Sequence, residues 1–318
     1  MMLRKSLAAC LALILALPGG AALGQSGAGK TTRIVVPFPA GGTADVVARQ
    51  IAQQAQQASG QPIVIENRPG AGTIIATDLV NRAAPDGTTL LLMANSFVIN
   101  ASLRAALPYD PLAFEPICLL VNSPQVIVVN SAASYQSLGE LFAAAKERPG
   151  ELSYATVGPA TTQHIAGEAL RRAAGINLTY VPYPGGAPAV NALLGGHVAA
   201  VLTNYSEVME QVNAGKLRAL AVTTSERIPP LSAVPTLAEA GHKGLEATAW
   251  FGIMAPRETT AELITLFRAA LQSPEVASKL TDQGLYPVGA CGAEFAAHIR
   301  QQHDSYARSV RELNIKAE

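Results

Sequence analysis

Short β-branched runs alternate with helical patterns along almost the whole of this chain. That alternation limits it to an α/β architecture of mostly parallel sheets with flanking helices. Two of the junctions are written nearly the same way. Val36-Pro-Phe-Pro-Ala-Gly-Gly42 returns as Val181-Pro-Tyr-Pro-Gly-Gly186, each time after an apolar run and before a helical pattern. A strand that ends in Pro and Gly-Gly and opens into a helix leaves the first helical N–H groups without intrahelical partners. Glycine lets that backbone come close to a ligand, and the helix end favours an anion. Pro-Gly-Gly is also ordinary turn chemistry. It is the pairing of two such corners that points to a small anionic molecule held between two parts of the chain.

The alternation can be followed in detail. Residues 34–36 lead into a helix from about residue 44, with Val47, Ala48, Ile51, Ala52 and Ala55 on one face and glutamines on the other. Residues 63–65 and 88–93 read as the second and third strands, and residues 125–129 begin a new block that closes at 219–222. From residue 261 onward helices dominate. The natural division is two lobes, one made of residues 25–122 and 226–318 and the other of residues 123–225, with a hinge near 119–123 and 222–235.

The first residues carry an address. Arg4 and Lys5 precede an apolar stretch over 7–17, Pro18-Gly-Gly20 breaks it, and Ala22-Leu23-Gly24 supplies small residues. Residues 1–24 therefore read as an export signal cleaved near Gly24/Gln25, which places the mature chain in the periplasm. No later segment is long and apolar enough to span a bilayer. Gly24 to Thr31 matches the phosphate-loop spacing G-x-x-x-x-G-K-[ST]. A working phosphate loop needs a strand before it and a helix after it. Here the export segment precedes and a strand follows, so the run is read as a leader.

Formal net charge is zero and no basic stripe is present, which argues against nucleic acid as a partner. Outside the signal stand two cysteines, Cys118 and Cys291. An oxidising compartment would allow them to pair, but spacing alone does not bring them together. Neither belongs to a C-x-x-C pair, so no metal or thiol-redox site is expected. There is no G-x-S-x-G elbow and no H-E-x-x-H, and the five histidines are scattered. The chain reads as a binder rather than an enzyme, with no cofactor.

Val36-Pro-Phe-Pro-Ala-Gly-Gly-Thr-Ala-Asp-Val-Val-Ala-Arg49 resembles the first signature of the Bug family, the extracytoplasmic solute receptors of tripartite tricarboxylate transporters. Four further segments follow in that family's order: Glu66-Asn-Arg-Pro-Gly-Ala-Gly72, Ala84-Pro-Asp-Gly87, Tyr183-Pro-Gly-Gly-Ala-Pro-Ala189 with Gly195-Gly196, and Ala219 to Thr224 through Val234 to Gly241. The resemblance implies a two-lobed periplasmic-binding-protein (Venus flytrap) fold, present as a monomer. It captures a small organic acid and delivers it to membrane transporter subunits. The alternatives are a ligand sensor feeding a regulatory partner, which the same cleft would serve, and a hydrolase.

The resemblance also implies a site. The first lobe would contribute Phe38, Pro39, Ala40, Gly41, Gly42, Thr43 and Asp45, with Asn95 and Ser96 from the loop after the third strand. The opposing lobe would contribute Thr156, Gly158, Thr161, Thr162, Gln163 and His164, Tyr183 beside the second Gly-Gly corner, and Asn204 at a strand end. The first loop has no Arg or Lys, so backbone N–H groups and hydroxyls, not a fixed cation, would grip the acid. Valine at Gly41 is expected to block the anion by bulk. Several residues have a second reading. Asp45 reads better as the acid stabilising the first helical turn than as the acceptor for a ligand ammonium. Thr161 and Thr162 suit helix caps as well as ligand donors, and His164 and Tyr183 suit packing roles. Arg49 and Arg68 read as structural ion-pair partners and Trp250 as core. Thr73, Asn191, Thr203 and the run Pro159-Ala-Thr-Thr162 depart from the family pattern, which leaves the distal specificity pocket open.

Overall fold

The computed structural model describes residues 30–259 and 261–315; the export segment and residues 24–29 of the phosphate-loop match lie outside them. The elements in chain order begin with β1 (Thr32–Val36), α1 (Thr43–Ser59), β2 (Ile63–Asn67), α2 (Ile74–Asn81), β3 (Thr89–Ala94) and α3 (Ser96–Leu103). A long strand β4 (Glu115–Asn130) follows, then α4 (Leu138–Glu147), β5 (Ser153–Thr156), α5 (Thr162–Ala173), β6 (Thr179–Pro182) and α6 (Gly186–Leu194). The chain continues through β7 (Ala200–Asn204), α7 (Tyr205–Asn213), β8 (Leu217–Val222) and β9 (Thr248–Ala255). It ends with α8 (Glu262–Gln272), α9 (Pro274–Asp282), β10 (Tyr286–Pro287) and α10 (Ala293–Glu312).

The strands run in the order β2-β1-β3-β9-β4-β7-β5-β6, with β8 and β10 also pairing to β4. At each end lie the parallel sets that β-α-β units generate: β1 with β2 and β3, and β5 with β6 and β7. Between them β9 and β4 run antiparallel to their neighbours. β4 belongs to both halves. Glu115 to Pro124 pair with β9, whereas Gln125 to Asn130 pair with β7 and β8. Pro124, which has no N–H to give a ladder, stands where the strand changes partners. Sequence pattern places a break there and starts a block at residue 125; the backbone instead runs on without interruption.

Helices cover both faces of each half, as an α/β sheet requires. In the first half, Val47, Ile51 and Ala55 of α1 pack with Ile34, Leu90 and Leu92 on one face. Phe97, Trp250, Phe295 and Ile299 close the other. The amphipathic stripe read for α1 is thus its buried face, and Gly60 ends the helix in the left-handed conformation with its N–H on the carbonyl of Gln56. In the second half Leu141, Tyr154, Leu170 and Leu202 form one core. Val128, Val190, Val201 and Val208 form the other. Among the described residues no helix is long and apolar enough to cross a membrane.

The C-terminal helices return to the first half, where a Cys118–Cys291 disulfide joins β4 to the segment entering α10. Backbone bonds flank it, from Leu119 N to Ala290 O and from Gly292 N to Ile117 O. Trp250 is 2% exposed, edge-on to Phe295 and His298, and belongs to the core.

Candidate functional site

A cavity of about 610 Å³, counting its mouth, opens between the two halves. Five strand-to-helix junctions meet around it: Gly42 and Thr43 at β1–α1, Asn95 and Ser96 at β3–α3, Thr161 to Gln163 at β5–α5, Gly185 and Gly186 at β6–α6, and Asn204 at β7–α7. Each is the carboxyl end of a strand, the edge at which open α/β sheets take their ligands. Five helices therefore present their first turns to one space. Each first turn carries N–H groups that no helical carbonyl can satisfy and a positive end worth roughly 0.3–1 kcal/mol to an anion. Phe38, Val157, Ala249 and Phe251 supply apolar wall.

Local chemistry explains why those N–H groups are available. Neither Gly-Gly corner offers a side-chain cap: the N-caps are Gly42 for α1 and Gly185 for α6, and neither has one. Gly185 has φ 146°, a conformation suited to glycine. At α5 the cap is Thr161, whose hydroxyl accepts from His164 N and donates to Gly158 O. Ser96 is 2% exposed, faces the cavity, and its hydroxyl has no partner. A buried hydroxyl left unpaired is costly and suits a ligand that completes it.

Of the residues expected in the site, Phe38, Pro39, Ala40, Gly42, Thr43, Ser96, Thr161, Thr162 and Asn204 line the cavity. Gly41, Asp45, Thr156, Gly158, His164 and Tyr183 stand behind the lining. Asp45 is 4% exposed and turned into its own loop. Its carboxylate takes Gly41 N (3.0 Å), Asn67 Nδ2 (3.0 Å) and Arg49 Nε (2.9 Å). Burial pushes its carboxyl up, but the Arg49, Gly41 and Asn67 bonds outweigh that and hold it below the ordinary value. Asn67 also donates to Phe38 O, so this network fixes the corner. The ion pairs read for Arg49 and Arg68 are present, to Asp45 and Glu66. Thr156 hydrogen-bonds Tyr180, the His164 ring stacks on Tyr180 at 4.5 Å, and Tyr183 packs on the Val190 core.

The expectation for Gly41 needs a different cause. A Cβ there meets no protein atom within 4 Å, and Gly41 is not among the lining residues. At φ 83°, however, a β-branched residue is strained, and the bond to Asp45 depends on that geometry. The glycine whose added bulk enters the cavity is Gly42, at φ −83°.

Hydrogen bonds tie the halves together at the rim. Thr43 Oγ1 lies 2.9 Å from Ser206 Oγ and accepts from Asn204 Nδ2 at 3.1 Å; Tyr306 of α10 joins Thr162 Oγ1 (3.2 Å) to Asn95 Nδ2 (3.0 Å). Sequence reasoning passed over Tyr306, which lies far along the chain from any corner. It also passed over Glu207, the one charged side chain among the described lining residues. Its Oε1 accepts from Thr43 N at 3.3 Å and its Oε2 from the Thr203 hydroxyl. The signal available was an acid in the first turn of α7, which reads equally well as a helix-end partner. Among the described residues no group of three or more His, Cys, Asp or Glu side chains is placed to hold a metal ion.

Several known proteins are similar to this chain in sequence and fold. BugT of Bordetella pertussis is 38% identical over 294 residues, 90% of each chain. The solved periplasmic binding protein BugD is 33% identical with a TM-score of 0.85, covering 91% of this chain and 99% of its own. An R. palustris protein solved with adipate is 32% identical with a TM-score of 0.86, covering 90% and 98%. The model of the tripartite tricarboxylate transporter family receptor matches residues 47–315, and the chain belongs to that family.

Proposed function

We propose that the cavity is the ligand site of a periplasmic solute receptor that holds a small carboxylated molecule between two lobes and releases it chemically unchanged to a tripartite tricarboxylate-type transporter. The observation that carries this reading is the meeting of five helix starts around one space that no Lys or Arg side chain lines. Peptide N–H groups and hydroxyls are then the available grip on an acid. Charge-assisted bonds of this kind contribute on the order of 1.5–3 kcal/mol each. A few of them reach micromolar affinity, about −8 kcal/mol, after the costs of association. The adipate held by the similar R. palustris protein is a molecule of the right class.

The lobes in this reading are residues 25–122 with 226–318, and 123–225. The lining residues touch the ligand, while Gly41, Asp45, Thr156, Gly158, His164 and Tyr183 shape the loops that carry them. Closure is favoured only if the ligand contacts both lobes, and Thr43 and Thr162 carry bonds across the junction. Export with cleavage near Gly24/Gln25 supplies the compartment, and the working unit is a monomer that meets transporter subunits and no nucleic acid.

The test is thermal unfolding of protein stripped of carried-over ligand, across a panel of small mono-, di- and amino-carboxylic acids. At least one acid raises the midpoint, since ligand at a hundredfold excess over Kd adds about 2.7 kcal/mol to the folded state. Recovery of the same acid unaltered after incubation is expected as well. A panel with no shift at all overturns the reading, and conversion of the acid to a product overturns the claim that it leaves unchanged.

A further inference from the structure

Glu207 is not needed by the receptor reading, and its position argues against a simple diacid site. Its carboxylate lies between the two Gly-Gly corners. A Cβ at Gly186 would stand 2.1 Å from Glu207 Cδ and Oε2, and one at Gly42 would stand 3.5 Å from Oε1. The first-turn N–H of Thr43, which an incoming carboxylate would use, is given to Glu207 Oε1 instead. The protein has thus placed an acid of its own in the corner that its sequence builds for an anion.

The hydrogen-bond donors around Glu207 are neutral: Thr43 N, the Thr203 and Thr43 hydroxyls, and Asn204 N. Among the described residues it joins no ion pair, and the cavity wall beside it carries no cation. Enclosure by the surrounding protein pushes its carboxyl up and outweighs those donors, so the group lacks the countercharge that would hold it ionised. The same cavity is lined by Ser96, whose hydroxyl is buried and unpartnered, and by Thr162 and Gln163 in the first turn of α5.

Resting on the receptor reading above, we infer that Glu207 is the specificity-determining residue of this site and selects a zwitterionic acid. The ligand's single carboxylate sits at Ser96 and the α5 start, and a cationic nitrogen on the same molecule pairs with Glu207. A cationic nitrogen supplies the countercharge that holds Glu207 ionised; a second ligand carboxylate supplies none and disfavours ionisation of Glu207 in a cleft where like charges are poorly screened, so the site binds it less well. This is discrimination by a repulsive element together with an attractive one.

Matched ligands test this in titration calorimetry on stripped protein: γ-aminobutyrate against succinate, ε-aminocaproate against adipate, and alanine against malonate. In the best-binding pair the amino acid binds at least tenfold more tightly than the diacid of similar length. Glu207→Gln, which keeps the shape and removes the charge, cuts that preference at least tenfold and improves diacid binding. Diacids binding the wild type more tightly overturn the role of Glu207 and leave the receptor reading standing. The same follows if Glu207→Gln leaves the preference unchanged. No heat with any acid, in protein that is folded, removes the receptor reading and this inference with it. The wild-type ranking decides the matter even if the variant does not fold.

Discussion

Gly42→Val folds with near-native stability and loses ligand affinity by roughly fivefold to a hundredfold. Gly42 has φ −83°, which any residue adopts, so no strain is introduced. A Cβ at that site is in ordinary contact, 3.5 Å from Glu207 Oε1 and 3.8 Å from Pro39 O. The two methyl groups beyond it have only the cavity or the Glu207 carboxylate to enter. Inserting bulk into a fitted site costs about 1–3 kcal/mol, and here that cost falls on the liganded state. Calorimetry together with a denaturation curve checks both halves. Native affinity in the variant would detach the first corner from the site. A large loss of stability would show that the loop, not the ligand, needs the glycine.

Replacing Cys118 and Cys291 by serine lowers unfolding stability by about 2–5 kcal/mol. The pair closes a chain separation of 173 residues, for which loop-closure entropy alone predicts roughly 5 kcal/mol. The backbone bonds on either side, Leu119 to Ala290 and Gly292 to Ile117, survive reduction and moderate the loss. The site is affected too, because the bridge anchors the segment entering α10, and α10 carries Tyr306 to Asn95 and Thr162 at the rim. Urea titration of the oxidised, reduced and doubly substituted proteins measures this. Coincident midpoints would mean that the bridge contributes nothing to stability.

Much of this architecture is legible in the sequence because burial is periodic. The face of α1 is one turn-by-turn stripe, and Ile34 to Val36 of β1 and Leu90 to Ala94 of β3 are unbroken apolar runs, so local pattern and tertiary position agree. The continuity of β4 is not legible, because Ser123-Pro124 looks like punctuation until β9 and β7 are seen to exchange at that point. α3 was hidden for a related reason. Phe97, Val98 and Ile99 are all buried, and a short apolar run does not declare helix or strand.

The corners of the site are legible because turn chemistry is local, which is why Phe38 to Ala40, Gly42, Thr43, Thr161 and Thr162 reach the cavity. What surrounds them is not. Asp45 belongs to the same motif, yet Asn67 and Arg49 draw it into the loop rather than the cleft. Glu207 sits far along the chain from Gly42 and close to Gly186 only in space. Nothing in its sequence neighbourhood separates a helix-end acid from an acid that fills an anion corner.

The most direct test of the central claim is a crystal structure with a bound acid. The account predicts a carboxylate in the cavity lined by Phe38, Gly42, Ser96 and Thr162, about 2.7–3.2 Å from first-turn N–H groups and hydroxyls, with no Lys or Arg side chain touching it. A ligand bound elsewhere, or a carboxylate held by a basic side chain that swings into the cleft, would contradict it.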